Sequence, residues 1–567
     1  MDVFLKRKIC NIKEFFKKQW IDILILGLLF FSLLYTVTGD FAFDDVQYYN
    51  IHGWQIFEDR SFLDYLLDTE KYFLQQGRLF FLNVLLIGVI RFVFIEYCWF
   101  QLLQIVLTCF AVLTLGVVVF EVTGRSDIRR LAMLFSIACF QVYGTYHNAL
   151  IAYGGLYQIL TIFLLLEIYF YIKWLRKGKI HDLVLMILFQ ICAVLWYETG
   201  FLNVFLVFLI YLYEKKEKTL KGSFKNSLVV LPSFIAFIFV LFLRYYSTIK
   251  YVGTTINSSL NSVIGTFLKQ ETLSFPLTHF LFQRNNGIIS FDYLNGCDVV
   301  FAIGCAFVFL LISNKSAKIR TWKDSFWIFV ALVIVLLSGA IISITTQYQN
   351  ELYFGIAHMN VFFQWVAMSA VLAGCYAWFI YLLREHAIFS VLLRVIVSIA
   401  FGFIVLINQQ VLKSNVMMIQ KSIKYPREII SNAIKKGFLD DVDKEDIVIS
   451  LANEPWDNNR FYSEEAGRPI NAIPYYSYME NTISNKTDFY IINYTADEAG
   501  GAVVLGHLDD TDKEDDWINA DDLYVYEEGD AYIEPVHDDD LLQLKDYAYM
   551  KIDNYDFSKI QIVHKNE

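Results

Sequence analysis

An all-α polytopic membrane domain, followed by a smaller water-facing domain, is what this sequence predicts. Three observations carry it. Of 567 residues, 56% are hydrophobic. The apolar residues come in long blocks rather than short alternations, and about 20 apolar residues cross the hydrocarbon core as a helix. Net charge is segregated: residues 501–567 hold 19 Asp+Glu against five Lys+Arg, while the rest of the chain is slightly basic.

The blocks are Ile21–Val37, Phe100–Phe120, Leu131–Leu150, Leu156–Trp174, Leu183–Trp196, Gly200–Tyr213, Ser227–Leu243, Val299–Leu311, Phe326–Ile344, Val361–Leu382 and Ile388–Ile407, giving about 11 spans. Leu183–Trp196 and Gly200–Tyr213 form a short pair joined by the turn Tyr197-Glu198-Thr199. The basic segment 1–20 reads as a cytoplasmic N-terminus. Tyr35-Thr36-Val37-Thr38 is a poor cleavage site, so the first block reads as an uncleaved helix.

Charge then sets orientation, because Lys and Arg favour the cytoplasmic side. Six segments are basic: 1–20, 121–130, 173–181, 214–225, 314–323 and 383–394. All six fall on one side only if Leu79–Ile95, interrupted by Arg91, does not cross. That stretch is expected to lie as a juxtamembrane helix in the outer interface. Residues 39–98 then form an outer loop within a transmembrane domain of 21–410, and the region 411–567 lies outside. There, short β-like runs at 446–451, 489–494, 523–526 and 560–563 follow a helical stretch at 413–437, predicting a mixed α/β extracytoplasmic domain. Its acidity argues against nucleic-acid binding. Asp509–Asp516 reads as a solvated charge run, since it lacks the spacing of a calcium loop.

The eight cysteines lie in or beside apolar blocks, with no Cys/His metal spacing, and read as packing residues. The chemistry-bearing residues gather on the expected outer side. Loop 39–98 carries Gly39-Asp40-Phe41-Ala42-Phe43-Asp44-Asp45, then Tyr48 and His52, then Gly77-Arg78. Carboxylates at a membrane edge are costly to dehydrate. Such a group can take a proton from an attacking sugar hydroxyl. An arginine can clamp a phosphate with paired hydrogen bonds. The alternative is a helix cap with solvated loop charges. Glu198 sits at a span edge and is a candidate for sugar hydroxyls or a second charge. His147 ends a span near Tyr143 and Tyr146, and is a substrate contact or a structural helix-end histidine. Arg244 is a second phosphate contact or an interfacial anchor. Arg284, Gln347, Glu351 and His358 flank outer loops and rank lower. Loop 244–296 is long enough to act as a lid or binding loop.

An uncleaved first helix, a loop opening on Phe43-Asp44-Asp45, Gly77-Arg78 at the start of a juxtamembrane helix, and the turn Gly124-Arg125 to Arg129-Arg130 together resemble the polytopic GT-C glycosyltransferases. The bacterial glucosyltransferases that modify surface polysaccharide are the nearest branch. The resemblance covers about residues 15–410. It implies a bacterial plasma-membrane enzyme, a polyprenyl-phosphate sugar donor, and a cell-surface glycan acceptor. It also implies inverting transfer with Asp44 or Asp45 as base and Arg78 at the donor phosphate. Whether the second aspartate orients the first or binds a divalent metal stays open. A transporter or flippase for a lipid-linked sugar, and a non-catalytic surface-glycan assembly protein, are the competing readings. No internal duplication of the transporter kind is present.

Overall fold

The computed structural model describes residues 19–41, 61–94, 96–144, 147–214, 228–247, 256, 259–287, 289–313, 322–420 and 424, and seven short strands beyond residue 445. The chain divides into two compact units, one of residues 1–37 and 66–416 and a second of residues 38–65 and 417–567.

The first unit is a helical bundle. In chain order its helices are α1 (Gln19–Thr38), α2 (Phe62–Gln75), α3 (Phe81–Val93), α4 (Tyr97–Thr123), α5 (Ser126–Cys139), α6 (Leu156–Lys177), α7 (Ile180–Trp196) and α8 (Asn203–Glu214). Then come α9 (Leu231–Tyr245), α10 (Leu260–Thr272), α11 (Thr278–Gln283), α12 (Gly296–Ser313), α13 (Trp322–Ser343), α14 (Thr346–Glu351), α15 (Val361–Leu382) and α16 (Ala387–Ile419). Eight segments among the described residues are long and apolar enough to cross a membrane, built on α1, α4, α6, α9, α12, α13, α15 and α16. Their outward faces are apolar: Phe234, Ile235, Ile238 and Phe242 on α9 and Ile388, Phe389, Ile396 and Ile399 on α16 are exposed. Water would not tolerate so much contiguous apolar surface, and a bilayer does. The chain is a polytopic helical membrane protein.

Of the about 11 expected spans, eight fall on these long apolar helices. α5, α7 and α8 have 14, 17 and 12 residues, whereas each of the eight segments has 18 or more. The block Leu131–Leu150 reads as one span in sequence, but its helix stops at Cys139 and the described residues 140–144 and 147–152 run irregularly, deeply buried. Irregular backbone at that depth persists only if protein groups satisfy it, and here they do. Asn408 donates to the Ala138 carbonyl (3.0 Å), and Asn415 donates to the Val142 carbonyl (3.0 Å) while accepting from the Gly144 N–H (2.9 Å). Asn148 donates to the Tyr143 carbonyl (3.0 Å), Gln101 to Leu150 (2.8 Å), and Gln104 to Ala149 and Ala152 (2.8 and 2.9 Å). α3, within the expected juxtamembrane stretch, has 13 residues, about 20 Å of helix, too short to cross alone.

Aromatic stacking fixes the middle of the bundle. Phe135 of α5 meets Phe309 of α12 at 5.3 Å, and Phe309 meets Phe401 of α16 at 5.0 Å and Tyr376 of α15 at 5.4 Å. The end holding the α4–α5 turn is tied by ion pairs. Asp22 pairs with Arg129 and with Arg130 (3.1 Å), and Arg176 bridges Glu214 (2.7 Å) and Glu121 (3.3 Å). The arginines of the Gly124–Arg130 turn therefore hold α1 against α5.

In the second unit, Asp40 is buried, and its Oδ1 accepts the Phe41 N–H (2.7 Å). The described residues beyond 445 are strands alone: β1 (Asp446–Ala452), β2 (Tyr490–Thr495), β3 (Ala502–His507), β4 (Tyr524–Tyr526), β5 (Ile533–Pro535), β6 (Ala548–Lys551) and β7 (Gln561–His564). Five are ordered β2-β1-β3-β6-β7, with β1 and β2 parallel and the other pairs antiparallel. The helices that a mixed α/β domain requires are not among these described residues. The helical stretch expected at 413–437 is helical where it begins, as the end of α16, which runs to Ile419; residues 421–423 and 425–437 lie outside the described residues.

Candidate functional site

Asp44, Asp45, Tyr48 and His52 lie outside the described residues. The other predicted site residues, Arg78, Glu198, Arg244 and His147, fall at one end of the bundle, opposite the end tied by Asp22 and Arg176.

Gly77 begins the assembly. α2 ends at Gln75, and Gly77 takes a left-handed conformation (φ +73°) that turns the chain sharply, with the Arg78 N–H donating back to the Phe73 carbonyl (2.9 Å). A Cβ on Gly77 would lie 2.6 Å from the Arg244 Cα and 2.9 Å from its backbone nitrogen. Only a bare backbone admits the end of α9 at this distance. The contact brings Arg78 and Arg244 together from distant parts of the chain.

Glu198 comes to them from the break between α7 and α8. Tyr197 is extended, and residues Glu198–Leu202 form a 3-10 turn. One carboxylate oxygen, Glu198 Oε1, lies 2.5 Å from Arg244 Nη2 and 3.6 Å from Arg78 Nε. Two guanidinium groups thus share one carboxylate oxygen. The Arg78 guanidinium also lies 4.3 Å from the Phe80 ring centroid, and Phe80 stacks on Tyr197 at 5.1 Å. Cation–π contact and the shared carboxylate thus hold Arg78, which is 7% exposed, in one orientation. From sequence, Glu198 is a candidate binder of sugar hydroxyls or of a second charge. In the structure its carboxylate holds the two arginines. Beside the pair is an open groove of about 430 Å³, lined by Leu67, Glu70, Lys71, Leu74, Tyr246 and Ser247 among others.

Tyr197 leads to a second cluster. Its ring is 5.5 Å from Tyr157, and Tyr157 is 6.4 Å from His358. His358 lies 4.3 Å from the Tyr348 ring and 5.2 Å from His147. His147 Nε2 is 3.1 Å from Glu351, whose other oxygen accepts from Gln347 (2.9 Å). Gln270 brackets His358 by accepting its N–H (2.8 Å) and donating to its carbonyl (3.2 Å). Burial, then the nearby His147 and Arg78, hold the His358 imidazole well below the usual histidine range, so it is neutral.

Four residues that sequence reasoning ranks low or passes over thus sit within the site: His358, Glu351, Tyr157 and Tyr348. Each is single in the sequence, and only folding brings it to His147. Arg284, by contrast, is exposed and makes no ion pair among the described residues.

The long loop is not built as a lid in its described part. Gln141 donates to the Leu273 and Phe275 carbonyls (3.1 and 2.8 Å) and accepts from the His279 N–H (3.0 Å). The Trp365 indole donates to Leu273 (2.8 Å), Gln283 donates to Phe354 (2.7 Å), and His279 Nδ1 is 2.8 Å from the Gly355 carbonyl. Residues 273–283 are therefore tied into the bundle.

Among the described residues no group of three or more His, Cys, Asp or Glu side chains is arranged to hold a metal ion. No family model matches the chain, and no curated protein matches it.

Proposed function

We propose that this protein is an integral-membrane glycosyltransferase of the GT-C type. It moves a sugar from a polyprenyl-phosphate donor to a cell-surface glycan, at the outer face of a bacterial plasma membrane. The observation that supports this most is the pair Arg78 and Arg244 sharing the single carboxylate of Glu198 at one end of the bundle. Two arginines brought together at a membrane edge suit the phosphate of a lipid headgroup, and the adjoining groove suits the start of its chain.

In this reading the acceptor hydroxyl oxygen attacks the anomeric carbon from the face opposite the phosphate. The bond from that carbon to the phosphate oxygen breaks, and the electron pair leaves with the polyprenyl phosphate. Asp44 or Asp45 takes the hydroxyl proton. Arg78 and Arg244 stabilise the charge growing on the phosphate. Glu198 keeps two like charges close enough to act on one group. The acidic region from residue 411 meets the acceptor.

The double substitution Asp44→Asn with Asp45→Asn tests the assignment in a folded, membrane-inserted protein. Loss of the transferred sugar from the surface glycan, read by mass spectrometry, is the expected result. Unchanged glycan would remove the aspartates from the reaction.

A further inference from the structure

His358 is 1% exposed and sits between Tyr348, His147 and Tyr157. The Asn360 N–H donates to its Nδ1 (3.3 Å), which leaves Nδ1 unprotonated and puts the ring hydrogen on Nε2. That Nε2–H is buried and has no hydrogen-bond partner among the described residues. A buried donor without an acceptor costs stability, and such a group calls for a partner, whether an ordered water, an ion or a ligand.

The surroundings keep this donor rather than relax it. Gln270 fixes the His358 backbone from both sides, and Gln270 is in turn held by Gln364 (2.9 Å). Tyr348 lies against the ring at 4.3 Å. Rotating the ring would break its bond with Asn360. The result is a fixed N–H that points at no protein acceptor among the described residues, one tyrosine pair away from Arg78.

We infer that His358 Nε2–H donates a hydrogen bond to a phosphate oxygen of the bound substrate, as a third contact beside Arg78 and Arg244. This rests on the polyprenyl-phosphate reading above. It adds to that reading a donor that carries no charge. A phosphate oxygen accepts from an uncharged N–H and a guanidinium alike, so both a lipid headgroup and free phosphate have the required chemistry.

The test is binding of a polyprenyl phosphate to the full-length protein in detergent, with inorganic phosphate as a separate probe. His358→Phe keeps an aromatic ring and removes the donor. It should weaken polyprenyl-phosphate binding about tenfold, the effect of one lost hydrogen bond to a charged group. His358→Gln restores an uncharged N–H and should recover part of that loss. The ligand-free melting temperature does not decide the role, because His358→Phe removes the unsatisfied Nε2–H but also the acceptor of the Asn360 N–H. The discriminating readout is the rescue: a merely structural histidine would leave phosphate binding per folded molecule unchanged in both His358→Phe and His358→Gln. Competition by inorganic phosphate in the wild type that His358→Phe weakens would assign the contact to any phosphate group. Absence of competition would assign it to the lipid headgroup. Binding unchanged in His358→Phe but lost in Arg78→Gln would overturn the role of His358 alone. A wild type that binds no polyprenyl phosphate would overturn both readings.

Discussion

Gly77→Ala separates contact from conformation at the centre of the site. The substitution carries two costs. A left-handed φ of +73° is strained for alanine by about 1–2 kcal/mol. The new methyl would also stand 2.6 Å from the Arg244 Cα and 2.9 Å from its nitrogen. Backbone cannot swing aside like a side-chain tip, so the end of α9 must move, at about 1–3 kcal/mol of overpacking. The sum is about 2–5 kcal/mol. Gly124 is the internal control. It has nearly the same conformation (φ +68°) with nothing within 4 Å of a built Cβ. Gly124→Ala should lose only the conformational part. Melting curves of both variants in one detergent give the comparison. The displacement at Arg244 should also weaken polyprenyl-phosphate binding in Gly77→Ala and not in Gly124→Ala, since about 1 Å of misplacement at a positioned group can cost a hundredfold in rate. Equal destabilisation of the two variants would refute the close approach of Gly77 to α9.

Asn415→Ala should destabilise the protein by about 2–5 kcal/mol, because it leaves both the Val142 carbonyl and the Gly144 N–H without their buried partner; denaturation in mixed detergent measures it. Glu271, on α10, accepts from Gln364 (2.7 Å), and burial raises its carboxyl from 4.5 to about 8. The unfolded chain therefore releases this proton before the folded one does, so stability is complete below about pH 4.5 and declines as pH rises toward about 8. Glu271→Gln, uncharged at every pH, should flatten that decline, and an identical pH–stability curve would show that Glu271 does not contribute.

Composition alone makes much of the bundle legible. Apolar blocks such as Phe100–Phe120 and Val361–Leu382 need no tertiary information, because a bilayer demands a long apolar helix wherever the chain crosses. The short pair is legible as two apolar helices parted by the turn Tyr197-Glu198-Thr199. The end of α5 at Cys139 is not. The apolar run continues to Leu150, and what ends the helix is a set of amides, Asn408 and Asn415 among them, about 270 positions away. Likewise Arg78, Glu198 and Arg244 each stand out at the edge of an apolar block, but nothing local says that two arginines share one oxygen. Gly77 carries a signal in its place before Arg78, and its reason, the α9 backbone behind it, is a tertiary fact. His358 is a lone histidine in sequence. Its importance lies in what surrounds it.

The most direct measurement is transfer by the purified protein itself. Wild-type protein in proteoliposomes would be offered a polyprenyl-phosphate hexose and surface glycan, and release of free polyprenyl phosphate followed with time. The account predicts release that depends on the glycan and is lost in Arg78→Gln. No release by the wild type, or equal release by Arg78→Gln, would contradict it.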